Sequence, residues 1–165
     1  MFNKKCLSSL FILTSFILSL IVVPNNAKAA GLAAFTLSAS SKFIEANKTV
    51  DVDVVYLAGG EAVDTIRLAI GFPPDLLEVV KWTPTEHFEN VSPGNFVDNL
   101  AGRISHGRFS TSPVSNDGKI GTVTFRGKQK GAATVEVLKE SKIILAGDDK
   151  GNIAGYGSLI IGVGL

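Results

Sequence analysis

Between Val50 and Val80 two alternating apolar runs flank Gly59-Gly60. In the first, Val50, Val52 and Val54 fall on one side of an extended chain and Asp51 and Asp53 on the other; in the second, Ile66, Leu68, Ile70 and Phe72 oppose Thr65, Arg67 and Ala69. Strand side chains alternate faces, so each run predicts a strand with one oily face. Two such strands need a second layer to cover them, which predicts a β-sandwich. The second run ends in Phe72-Pro73-Pro74-Asp75-Leu76-Leu77-Glu78-Val79-Val80, where prolines that cannot donate to a ladder force a corner.

The same pattern continues to the end of the chain. Strands are predicted at residues 33–38, 49–57, 62–72, 78–83, 95–99, 103–111, 119–126, 131–138 and 152–162, nine in all. Residues 141–145 read as a further short strand or an extended connection. No long helical period follows residue 30, although a short helical turn fits Pro73 to Leu77 or Pro84 to Phe88. The 17 glycines supply turns between short strands, a spacing that favours an all-β sandwich over alternating βα units.

The amino end changes the compartment. Lys4 and Lys5 precede an apolar run from Leu7 to Val23, then Pro24-Asn25-Asn26 and Ala27-Lys28-Ala29. A basic end, an apolar middle and a small-x-small site predict a Sec signal peptide over residues 1–29 and one exported domain over 30–165. An uncleaved signal anchor is the alternative, because about 17 apolar-leaning residues reach the lower limit for a membrane span. Cys6 lies before the apolar run, the wrong place for a lipoprotein cysteine. Cleavage after Ala29 lowers Lys+Arg from 16 to 13 against 15 acids, so the apparent basicity vanishes and no field remains to draw the domain to nucleic acid or an anionic membrane. It also removes the only Cys and the only Met, which excludes a disulfide scaffold and a thiolate metal site.

Candidate chemistry is sparse. His87 and His106 stand in different settings with no metal-ligand spacing, and both read as structural. Gly155-Tyr156-Gly157-Ser158 lacks the frame of a nucleophile elbow. Glu86, Glu89 and Asp98 are carboxylates without an active-site pattern. Asp148-Asp149-Lys150-Gly151-Asn152 lacks the remaining acids of a calcium loop and reads as a solvated turn. Lys128-Gln129-Lys130 reads as an exposed hairpin tip. Trp82 is expected to pack at the sandwich edge, and with Tyr56 and Tyr156 it makes no row of sugar-stacking platforms. The chain reads as a non-enzyme.

The order of these motifs resembles the cohesin family of bacterial extracellular modules. The resemblance rests on the Phe72–Val80 segment together with Phe96-Val97-Asp98-Asn99, Gly102-Arg103-Ile104-Ser105, Ile120 to Phe125, Lys130 to Val135 and Asp149 to Ile153, and it covers roughly Phe35 to Ile161. It implies a nine-stranded jelly-roll sandwich and a non-catalytic docking role. The implied partner is a dockerin, a small module of paired calcium-loop helices on another extracellular protein, often a polysaccharide-degrading enzyme. No cofactor is implied for this chain, with calcium expected on the dockerin.

The resemblance also implies a docking face on the third, fifth, sixth and eighth predicted strands. Face parity then selects Thr65 and Arg67, Phe96 and Asp98, Ser105 and Phe109, and Glu136 as partner-binding residues. A register slip of one residue would turn Phe96 and Phe109 into the core instead. A secreted or cell-surface adaptor is expected. A carbohydrate-binding or adhesin-like sandwich contacting polysaccharide is the alternative, and a surface-assembly subunit using an exposed edge at Ser158 to Val163 for β-augmentation is a third reading.

Overall fold

A computed structural model of the chain describes residues 33–148, 151 and 153–164. The expected signal peptide, Asp149, Lys150 and Asn152 lie outside the described residues. Thirteen strands are present among the described residues: β1 Ala34–Ala39, β2 Phe43–Glu45, β3 Thr49–Leu57, β4 Val63–Gly71, β5 Leu77–Pro84, β6 Asn90–Val91, β7 Phe96–Asp98, β8 Arg103–Val114, β9 Gly118–Gly127, β10 Gly131–Val137, β11 Lys142–Leu145, β12 Gly155–Tyr156 and β13 Ser158–Gly164. They form two facing sheets, a smaller one in the order β12-β1-β3-β9-β5 and a larger one in the order β2-β13-β10-β4-β8-β6, with β11 also on β4 and β7 also on β8.

The alternation read from the sequence is what builds the sandwich. Val50, Val52, Val54 and Tyr56 of β3 point inward, as do Ile66, Leu68 and Ile70 of β4. They meet Phe35, Phe125, Val123, Ile104, Val135 and Ile161 in one continuous core. Phe72 packs edge-on to Phe125 with ring centroids 5.2 Å apart. After Phe72 the two prolines carry the chain from the larger to the smaller sheet, and Leu76 and Leu77 both donate backbone N–H groups to the Pro73 carbonyl in the expected tight turn.

The strand inventory differs from the nine expected. β2 and β6 are too short to leave an alternating signature, and residues 141–145 prove to be a ladder strand, β11. The single strand expected over 152–162 divides between the sheets, β12 pairing with β1 and β13 with β10. The break falls at Gly157, where a Cβ would stand 2.8 Å from the Phe35 carbonyl oxygen. Lys128-Gln129-Lys130 is exposed but is no hairpin tip, because β9 and β10 belong to different sheets and the segment crosses between them. It is tied down by Lys128, whose Nζ donates to the Pro74 carbonyl and whose backbone N–H donates to Leu76. The edge expected at Ser158 to Val163 is partly covered, since β2 pairs in parallel with Gly162, Val163 and Gly164.

Candidate functional site

The larger sheet turns one face to the core and the other outward, and cross-strand register fixes which residues share the outward face. Thr65 stands opposite Phe109, Arg67 opposite Gly107 and Ala69 opposite Ser105 on β4 and β8. Phe96 on β7 stands opposite Ser105, and Asp98 opposite Arg103. Glu136 on β10 stands opposite Gly71, itself across from Arg103. Directly opposed residues point the same way, so all seven residues selected from the sequence lie on one surface. Phe96 is 48% exposed and Phe109 37%; the register slip that would bury them does not occur.

The seven do not form one compact cluster. Thr65, Arg67 and Phe109 gather at one end, and Asp98 and Glu136 lie near the other, about 20 Å away along β4 at the usual rise per residue. Ser105 and Phe96 occupy the middle. Asp98 also has a local duty, because its Oδ1 accepts from the backbone N–H groups of Leu100 and Ala101 and closes the β7–β8 turn. At that end an open cleft of about 460 Å³ lies between β10 and the β4–β5 corner, lined by Gly71, Phe72, Arg103, Thr134, Glu136 and Leu138.

Two asparagines complete this face by acting as pieces of strand. Between β6 and β7 the ladder on β8 is interrupted, and Asn95 fills the gap: its Oδ1 accepts from Gly107 N–H at 2.7 Å and its Nδ2 donates to Gly107 C=O at 3.3 Å. Ser92 then lies directly over Gly107, where a Cβ would come within 2.9 Å of the serine Cβ. Asn99 repeats the device at Val79, accepting from N–H at 2.7 Å and donating to C=O at 3.0 Å, and so ties the β7–β8 turn to β5 of the other sheet. Lys142, which sequence reasoning did not select, belongs to this surface as well. It sits directly opposite Arg67 on β11, and the parity of the 141–145 segment would have placed it there had that segment been taken as a strand.

Both histidines are structural. Buried Tyr56 donates its hydroxyl proton to the Asn116 carbonyl at 2.6 Å, which makes His87 Nε2 the donor in the 2.7 Å contact between the two side chains. Burial and the Asp117 charge push the Tyr56 hydroxyl up to about 12. His106 points into the sandwich from β8 and accepts from Trp82 Nε1–H at 3.2 Å through Nδ1, with the rings edge-on at 5.0 Å. Its proton therefore resides on Nε2, and burial, reinforced by the Arg108 charge, lowers its pKa to about 4. Arg108, also on the inner side of β8, donates to the carbonyls of Thr85 and Phe88 and pins the β5–β6 connection over the end of the core. Among the described residues no three His, Cys, Asp or Glu side chains could together hold a metal ion. Trp82 packs inward against Gly121 and His106, as expected of a sandwich-edge residue.

Comparison with known proteins places this arrangement. No protein-family model and no curated protein matches the chain. Solved structures do: a cohesin module of a family 33 glycoside hydrolase from Clostridium perfringens superposes with a TM-score of 0.66 at 6% identity, covering 81% of this chain and 98% of that one. A type II cohesin domain from the cellulosome of Acetivibrio cellulolyticus gives 0.65 at 10% identity, covering 79% and 95%. The third cohesin of ScaC from Acetivibrio cellulolyticus, solved in complex with the ScaB dockerin, gives 0.61 at 15% identity, covering 79% and 99%. The two sheets, their facing core and the outward surface carrying Arg67, Phe96 and Phe109 are thus built on the cohesin fold.

Proposed function

We propose that the chain is a non-catalytic docking module that binds a dockerin-bearing protein through the outward face of its larger sheet. The observation that carries this reading is the contrast between the sandwich's two outward surfaces. The larger sheet leaves Phe96, Phe109, Arg67 and Lys142 available, whereas on the smaller sheet Asp51, Asp53, Glu78, Lys119 and Arg126 all find partners within the sheet and, among the described residues, Lys81 alone of its charged strand residues does not. Exposed aromatics beside cations are the usual anchors of a protein interface. Neighbours of the same fold, among them the ScaC cohesin, were captured with dockerins. The calcium in such a complex belongs to the partner, and the setting is extracellular, following the Sec-type amino end. A link to polysaccharide breakdown would come through the protein that carries the dockerin.

Direct sugar binding is less favoured, because Trp82 turns inward and Tyr56 is fully buried, leaving Tyr156 as the exposed member of the three. The test is to immobilise the chain, pass over it the secreted proteins of its source in calcium and then in chelator, and identify what elutes. A dockerin protein retained in calcium and released by chelator is expected. Retention of no dockerin, with calcium-independent binding to cellulose, chitin or xylan, would replace this reading with the sugar-binding one.

A further inference from the structure

We infer that the docking face receives a carboxylate-bearing protein segment between Arg67 and Lys142, with an apolar side of that segment against Phe109. This specifies the chemistry of the partner and rests on the docking reading. Arg67 and Lys142 are directly opposed on β4 and β11, on the same face, and both are exposed. Like charges in that position repel, and folding alone supplies no reason to place them there. No side chain among the described residues forms an ion pair with either. The acids of the face are placed elsewhere: Glu140 pairs with Arg103, Asp98 closes its own turn, and Glu136 sits beside Gly71 at the far end of β4. Asp64, in the bulge beyond Thr65, makes no ion pair with either cation.

On the β8 side of the two cations the surface is apolar or small, and on the other side Gly151 comes up beside Lys142. Phe109 stands beside Thr65 on one side, Ile144 faces Thr65 on the other, and Gly107 with Ser92 above it borders Arg67. A negative group between Arg67 and Lys142 would relieve the repulsion and gain two charge-assisted hydrogen bonds, one of them from the guanidinium fork. The adjoining Phe109 ring would hold an apolar neighbour of that acid. Acid and apolar groups a turn apart on one partner helix would meet both features together.

The test uses two amphipathic helical peptides, identical except that one carries Glu and the other Gln at two positions one turn apart, titrated into the full chain and followed by NMR. Shifts centred on Thr65, Arg67, Phe109 and Lys142 with the Glu peptide are expected. Binding should be roughly tenfold weaker for the Gln peptide, and as much weaker for an Arg67→Gln, Lys142→Gln chain. That double variant should keep or raise the thermal midpoint, which separates lost binding from lost folding. Equal binding of both peptides, or shifts confined to another surface, would overturn the inference. So would concentration-dependent broadening at Arg67 and Lys142 without peptide, which means a second copy, or displacement only by an anionic polysaccharide. A dockerin retained in calcium whose affinity the double variant leaves unchanged would overturn this inference and keep the docking reading. Selective binding of the Glu peptide with no dockerin retained would do the reverse.

Discussion

The two outward faces of the sandwich are built from the same kind of alternating strand and end in opposite states. On the smaller sheet Asp53 accepts from Thr122 at 2.8 Å and pairs with Lys119 at 2.6 Å, Asp51 accepts from Thr124, and Arg126 pairs with Glu78 across β9 and β5. Partial burial pushes the Asp53 carboxyl up, but the Lys119 ammonium and the Thr122 hydroxyl outweigh it and hold it below the usual range. On the larger sheet the cations at Arg67 and Lys142 face each other instead, and among the described residues Phe43, Phe96, Phe109 and Ile160 are large apolar side chains exposed on the outward parity. A face whose polar groups answer one another inside the sheet has little to offer a partner. A face with opposed cations and bare rings carries a cost that a partner removes.

The largest loss is expected at Gly102. Its φ is +65°, and a Cβ there would run into the Phe72 carbonyl oxygen, whose own residue donates N–H to Gly102 C=O. Gly102→Ala should cost about 3 kcal/mol in urea unfolding and loosen the β7–β8 turn that supports Phe96. The next effect lies behind the outward face of the larger sheet, at His106. Its folded pKa of about 4 is below the ordinary histidine value, so the unfolded chain binds the proton more readily. Its contribution is complete above about pH 6.5 and is lost as pH falls toward 4, by up to roughly 3 kcal/mol. Unfolding midpoints measured across that window should drop in the native chain and drop less in His106→Gln, which keeps an acceptor for Trp82 without the titration.

How much of this contrast could be read from the residues alone depends on whether a position's role is set locally. Val50, Val52 and Val54 against Asp51 and Asp53 give both the strand and its orientation, because the period itself carries the information. The faces of Thr65, Arg67, Phe96 and Phe109 follow from the same rule. The inward course of Ile104, His106 and Arg108 breaks it, since two polar side chains occupy core positions. Their partners, Trp82 and the carbonyls of Thr85 and Phe88, are distant in sequence and nothing local announces them. Lys128-Gln129-Lys130 was misleading for a related reason: two alternating strands with a short connection look alike whether they pair with each other or cross between sheets. Lys142 depends on β11, four residues too short to declare themselves.

Smaller effects sharpen the contrast from each side. Phe109→Ala should weaken partner binding by about 2 kcal/mol in calorimetry while moving the unfolding midpoint little, because the ring lies outside the core. Asp53→Asn on the other sheet should do the opposite on a smaller scale, costing about 0.5 kcal/mol of stability after solvent screening and leaving partner affinity unchanged.

The most direct test is cross-saturation NMR of the full chain bound to a protonated dockerin, which marks the amides lying against the partner. Signal loss is expected at Thr65, Arg67, Phe96, Ser105, Phe109 and Lys142, with Asp51, Asp53, Thr122 and Arg126 untouched. Loss on the smaller sheet, or along Ser158 to Ile161 of β13 alone, would contradict docking on the outward face of the larger sheet.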